Sequence, residues 1–286
     1  MTLRRLAAPL ACLLAAPACT VPLVAQTPPA AGAATAGLNE PTFADLATLA
    51  DDARLVVRAK VKDQAVVPTE RAPGLAAGHA RLYVEAETLA LLAGNTALPE
   101  SLRYLVDVPV DAKGRPPKLR KQDVVLFALP VAGRAGELQL VGPTAQLAWS
   151  APLEARLRPI LTALAAADAP PRVTGVRDVL SSVGNLAGES ETQIFLATAR
   201  GEPAALTVVR RPGMAPRWGV SWTELVDQSA AAAQQDTIAW YRLACSLPRS
   251  LPTSANVASD PADRARAVQD YRFVIEQLGP CERNRG

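Results

Sequence analysis

Residues 191–226 read ETQIFLATARGEPAALTVVRRPGMAPRWGVSWTELV, and this stretch sets the fold of the C-terminal half. Three short apolar runs, 193–199, 204–210 and 217–223, alternate with turn chemistry. Gly201, Glu202 and Pro203 separate the first pair, and Pro212, Gly213 and Pro216 separate the second. Runs of this length, bounded by residues that supply special backbone angles, predict an antiparallel meander.

Downstream of the meander the pattern turns helical. A helix is expected over 237–247 with Asp236 as its cap, after an alanine-rich bridge at 228–235. A second is expected from Asp260, which suits an N-cap, through Pro261 at the first helical position, to a stop at Gly279-Pro280. Val268, Tyr271, Val274, Ile275 and Leu278 recur at helical spacing and form its expected buried stripe. Cys245 and Cys281 lie near the ends of these two helices, and Trp240-Tyr241 are expected to pack on the sheet.

Upstream, residues 173–180 fit a further strand or a helical turn, 181–190 a loop, and Pro170-Pro171 within 168–172 a domain boundary. Before it the sequence is β-rich. Strands are expected over 54–67, 80–91, 102–108, 124–129, 137–141 and 145–149. In the first, Val57, Ala59 and Val61 alternate with Arg58, Lys60 and Lys62. The run 124–129 is almost continuously apolar, which marks a strand buried on both faces. Strands of this number and rhythm predict a small closed or nearly closed barrel. A helix over 43–51 capped by Thr42 precedes it. A helix over 153–165, carrying Pro159, follows and packs through Leu153, Leu157, Ile160, Leu161 and Leu164. The fold class is therefore α+β: an OB-like small β-barrel domain with flanking helices over 41–168, then an α+β domain over 172–286 with the meander and a disulfide-tied helical tail.

The first 25 residues read as a processing signal. Arg4 and Arg5 precede an apolar segment, 6–14, that is too short to span a bilayer, and small residues follow. Ala16-Pro17-Ala18 before Cys19 offers a lipobox-like site with Cys19 as the lipidated residue. Leu23-Val24-Ala25 before Gln26 offers ordinary cleavage, and either end implies export to the periplasm or beyond. Residues 26–40 form an Ala/Pro/Gly-rich linker. Removing Arg4 and Arg5 with the leader leaves 28 basic against 27 acidic groups. That near-neutral balance gives no electrostatic reason to expect nucleic acid or an anionic membrane surface as a partner. Cys12 leaves with the leader, and Cys245 and Cys281 remain as an even pair in an oxidising compartment, which predicts a disulfide.

LVVRAKV (55–61), YVEAETLALLAG (83–94) and KLRKQDVVLFALPV (118–131), following a helix, resemble the layout of netrin-like or TIMP-like OB barrels over about residues 43–165. TIMP-type inhibitors chelate a protease metal through an N-terminal cysteine, and no cysteine opens this segment. The chain as a whole also resembles exported proteobacterial proteins, a resemblance that implies a compartment and no activity.

No catalytic, metal or cofactor motif stands out. His79, the single histidine, sits between Gly78 and Ala80 at the mouth of a long loop, with no nucleophile turn to serve. Glu85 and Glu87 share a strand face with Tyr83, side by side rather than opposed as carboxylate chemistry on glycosides needs. Pairing with Lys60 or Arg58 is expected for them, and a loop surface position for Glu189 and Glu191. Lys113, Arg115, Lys118, Arg120 and Lys121 form a basic loop threaded with prolines, suited to phosphate or acidic glycan but free of the aromatics a nucleic-acid platform needs, and a solvated loop tip is the expected reading. Lys118, Arg120 and Lys121, with Trp218 and Trp222 on one strand face beside Val220, are the candidate binding surface. The expected function is an exported, non-catalytic binding or envelope-associated module whose partner is a protein or envelope component. A periplasmic hydrolase using carboxylates between the domains and a lipid-anchored accessory protein of an envelope complex are the alternatives.

Overall fold

A computed structural model of the protein describes residues 40–223 and 230–285. The leader, Cys19 and almost all of the linker lie outside the described residues, as do 228 and 229 of the alanine-rich bridge. The described residues fall within one compact unit, Asn39–Gly286.

Helix α1 (Phe43–Asp52) starts where a reciprocal box is possible: Thr42 accepts from the Asp45 amide, and the Asp45 carboxylate accepts from the Thr42 amide. Strands β1 (Leu55–Val66), β2 (His79–Ala93), β3 (Ser101–Pro109), β4 (Asp123–Pro130) and β5 (Glu137–Leu140) follow. β1 pairs with β2, β2 with β3, β3 with β5 in parallel, β5 with β4, and β4 back to β1. That circuit closes a five-stranded OB-like barrel, as the strand rhythm predicts, and β6 (Gln146–Ala148) adds to β4. Alternation along each strand fills the interior: Val57, Ala59, Val61, Leu82, Val84, Leu102, Tyr104 and Leu126 are all buried there.

β4 is apolar on both faces. Val124, Leu126 and Ala128 belong to the barrel interior, whereas Val125 and Phe127 belong to a second core outside it. Helix α2 (Ala151–Ala165), capped by Ser150, adds Leu153, Leu157, Ile160 and Leu161 to that second core and runs on through Pro159. The second core continues into a four-stranded antiparallel sheet ordered β10-β9-β8-β7, built from β7 (Val173–Val183), β8 (Ser190–Thr198), β9 (Ala205–Arg210) and β10 (Arg217–Ser221). The meander over β8, β9 and β10 forms as expected. The open alternative at 173–180 resolves as strand, and β7 and β8 extend into the expected loop 181–190. Gly219 in β10 is a close-approach glycine, because an added Cβ would lie 1.9 Å from the Ala230 carbonyl oxygen.

Helix α3 (Ile238–Ala244) packs against α1, α2 and α4 (Pro261–Leu278), and α4 lies on β7 and β8. Two expectations are corrected here. The cap of α3 is Thr237, which accepts from the Trp240 amide, while Asp236 sits at φ 57°, outside the extended geometry a cap needs. The buried stripe of α4 is Ala267, Asp270, Tyr271, Val274 and Leu278, and Val268 is exposed. Tyr271, Val274 and Leu278 of the expected stripe are buried and Ile275 packs against the same core, while Ala267 and Asp270 join that face in place of Val268. Trp240 and Tyr241 reach helices as well as the sheet core: the Trp240 ring meets Phe43 edge-on at 6.2 Å, its Nε1 donates to the Leu278 carbonyl, and the Tyr241 hydroxyl lies 3.1 Å from Thr48 Oγ1.

Cys245 and Cys281 form a disulfide, Cα–Cα 5.1 Å. It ties the segment after α4 to the end of α3, and the same segment reaches the start of α1. The Asn284 and Arg285 amides donate to Asp45, and Thr42 Oγ1 donates to the Glu282 carbonyl. Replacing both cysteines with serine should lower unfolding free energy by about 3–4 kcal/mol, since the bridge closes a 36-residue separation. Urea denaturation reads this directly. The same variant should deprotect the Asn284 and Arg285 amides to hydrogen exchange, and unchanged protection would show that the tail docks without the bridge.

Candidate functional site

The outer face of β1, β2 and β3 carries a row made by strand register. Ala65 faces Tyr83, and Tyr83 faces Leu105. Directly opposed residues on antiparallel strands hold their side chains within contact range, so the Tyr83 ring and the Leu105 side chain lie side by side. Both stay in solvent, at 39% and 49% exposure, although their strand neighbours Leu82, Val84, Tyr104 and Val106 are buried. The inner face therefore fixes the position of the outer one.

Ion pairs flank this apolar row. On one side Arg81 donates from Nε to Asp107 Oδ1 at 2.7 Å and from a terminal nitrogen to Oδ2 at 2.8 Å, a bidentate pair. Arg81 also donates to the Pro73 carbonyl, which ties the β1–β2 loop to the face. The hydrogen bonds from Arg81 hold the Asp107 carboxyl below its ordinary range, against the opposing effect of desolvation, and those bonds raise Arg81. On the other side Arg103 lies 3.7 Å from Glu85, and Lys62 pairs with Glu87. The expected partners of those glutamates, Arg58 and Lys60, turn instead to Asp123, at 2.8 and 4.0 Å. Register accounts for Glu85, which is opposite Arg103 on β3, whereas Lys60 is opposite both Glu87 on β2 and Asp123 on β4 and its ammonium lies toward Asp123.

The remaining candidates scatter. His79 opens β2, exposed, with Nδ1 3.1 Å from the Ala77 carbonyl oxygen. Lys118, Arg120 and Lys121 are exposed in the loop between β3 and β4. Trp218 is buried in the second core and Trp222 half-buried against it. Glu189 folds back to accept from the Leu186 amide, and Glu191 accepts from Gln193 Nε2.

The most buried carboxylates serve the fold. Asp270, fully buried, accepts from Arg210 at 2.6 Å and from Thr192 Oγ1 at 2.5 Å, and Thr192 Oγ1 in turn accepts from the Ser181 hydroxyl at 2.8 Å. Asp51 accepts a bidentate pair from buried Arg242 at 2.6 and 2.8 Å, and Arg172 lies 2.7 Å from it. Among the described residues no group of three or more His, Cys, Asp or Glu side chains could hold a metal ion, and no helix is long and apolar enough to cross a membrane. An aromatic ring beside an aliphatic side chain supplies contact area, and rigid opposite charges at its borders supply hydrogen bonds.

The Tyr83–Leu105 row and the Arg81–Asp107 pair escape sequence reading because both depend on which residue of β3 meets which residue of β2. Their signal is the period-two run Arg81, Tyr83, Glu85, answered by Arg103, Leu105, Asp107. No protein-family model matches the chain, and no characterised protein matches it in sequence.

The lowered Asp107 makes a pH prediction with a definite sign. Its stabilising contribution is complete above the unfolded aspartate value of about 3.9 and is lost as pH falls through the lower folded value. Asp107→Asn should therefore flatten the loss of stability below about pH 4 relative to the parent, measured by urea midpoints across the acid range. An unaltered acid limb would show that Arg81 does not hold the carboxylate in solution.

Proposed function

We propose that the protein is an exported, non-catalytic binding module of the cell envelope, with the outer face of β2 and β3 as its contact surface. The observation that carries this reading is the exposed Tyr83–Leu105 pair, held on a rigid sheet between two ion pairs. Large apolar side chains placed in register on a barrel wall cost solubility, and OB-type barrels use the face of these two strands for ligands. Export rests on the leader pattern of Arg4, Arg5 and the short apolar segment. It is supported by the Cys245–Cys281 bridge, since such bonds persist in oxidising compartments. Lipidation of Cys19 would place the same module on a membrane without changing its contact face.

Co-sedimentation of the purified chain with isolated cell-wall sacculi and outer-membrane fragments tests the proposal. Tyr83→Ser with Leu105→Ser should abolish capture while leaving stability within about 0.5 kcal/mol, as for other exposed substitutions. Capture that survives the double substitution, or absence of capture by the parent, would overturn the assignment of this face.

A further inference from the structure

The loop between β3 and β4 carries five cations within nine residues: Lys113, Arg115, Lys118, Arg120 and Lys121. Its one acidic residue, Asp111, is consumed locally, accepting from the Lys113 and Arg115 amides at 2.9 Å each and from Arg115 Nε at 3.2 Å. Lys113, Lys118, Arg120 and Lys121 form no ion pair among the described residues. The charge is local, because the chain without its leader is nearly neutral.

The loop is also fixed. Leu119 is buried in the barrel interior. Gln64 accepts from the Leu119 amide at 2.5 Å and donates to the Pro117 carbonyl at 2.9 Å. Gln122 donates to the Lys118 carbonyl, and the Lys121 amide donates to Val61. Pro116 and Pro117 narrow the loop's freedom further. Lys121 sits at φ 72°, a conformation that glycine or asparagine adopts at lower cost than lysine. Cations that repel one another are thus held together on a rigid loop, and one of them occupies a position unfavourable to its residue type.

We infer that this loop is an electrostatic docking surface for an anionic phospholipid bilayer. Exposed cations anchored over a buried leucine can face many phosphates at once. Aromatic stacking groups, which single-stranded nucleic acid requires, are missing from the loop sequence. Each lysine or arginine near an anionic bilayer contributes about 1 kcal/mol, so three together change partitioning by about 100-fold. This inference does not depend on the reading of the β2–β3 face.

The test is vesicle co-sedimentation of the purified chain at low ionic strength. Vesicles of phosphatidylethanolamine with 30% phosphatidylglycerol, a fraction chosen at about physiological anionic content, are compared with phosphatidylcholine vesicles. Binding to the anionic vesicles alone is expected, falling with added salt. Lys118→Ala, Arg120→Ala and Lys121→Gly together should weaken it about 100-fold, the glycine preserving the backbone at Lys121. Arg211→Gln, Arg249→Gln and Arg272→Gln remove the same charge from exposed positions elsewhere and should leave most binding intact. No binding to anionic vesicles, or equal loss in both triple variants, would overturn the proposal. Displacement by millimolar inorganic phosphate at constant ionic strength would overturn it in favour of a small-anion site.

Discussion

Strand β4 is apolar on both faces, and both cores of the molecule require it. Val124, Leu126 and Ala128 fill the barrel, while Val125 and Phe127 form the wall on which the helical layer rests. A strand at a barrel surface ordinarily presents one face to water. Here that face lies in the second core with the apolar residues of α1 and α2. Phe127, fully buried, is among the largest side chains in the interior. Its removal would cost on the order of 3–5 kcal/mol through lost transfer energy and an unfilled cavity. The apolar layer reached through β4 then extends across α3 and α4 to Ile194, Leu206 and Val208 of the second sheet.

Ion pairs set the geometry of that layer. Asp51 and Asp52 end α1, where the helix dipole disfavours carboxylates. Arg242 from α3 and Arg172 from the segment after α2 supply the compensating charge. Arg242 also donates to the Pro170 carbonyl, so one guanidinium joins α1, α3 and the link between the two halves. Asp270 does the same on α4, binding Arg210 and Thr192 of the sheet. Buried pairs add little net stability, but a misregistered arrangement leaves a buried charge uncompensated and costs several kcal/mol. They select one docking of the helices among those the apolar faces would accept.

Local pattern made much of this legible. The continuous apolar run at 124–129 identifies a doubly buried strand, Gly and Pro identify the turns of the meander, and Asp260, Pro261 and Gly279 identify both ends of α4. The two remaining cysteines identify their own bridge. Register and long-range pairing were not legible. The parallel contact of β3 with β5 and the closure of β4 on β1 join segments whose sequences say nothing about each other. Asp236 and Thr237 both suit a cap, and only the backbone angle decides between them. Val268 fits the helical period of α4 as well as Ala267 does. Asp270 is on the buried face, and its partner Arg210 lies 60 positions upstream. The Tyr83–Leu105 row stayed hidden for the same reason, because a face that two strands build together has no signature in either one.

If β4 couples the two cores, they must unfold together. Scanning calorimetry of the oxidised chain should show one transition whose van't Hoff and calorimetric enthalpies agree, and Phe127→Ala should move that whole transition to lower temperature. Two separable transitions, with Phe127→Ala shifting only one of them, would contradict the account.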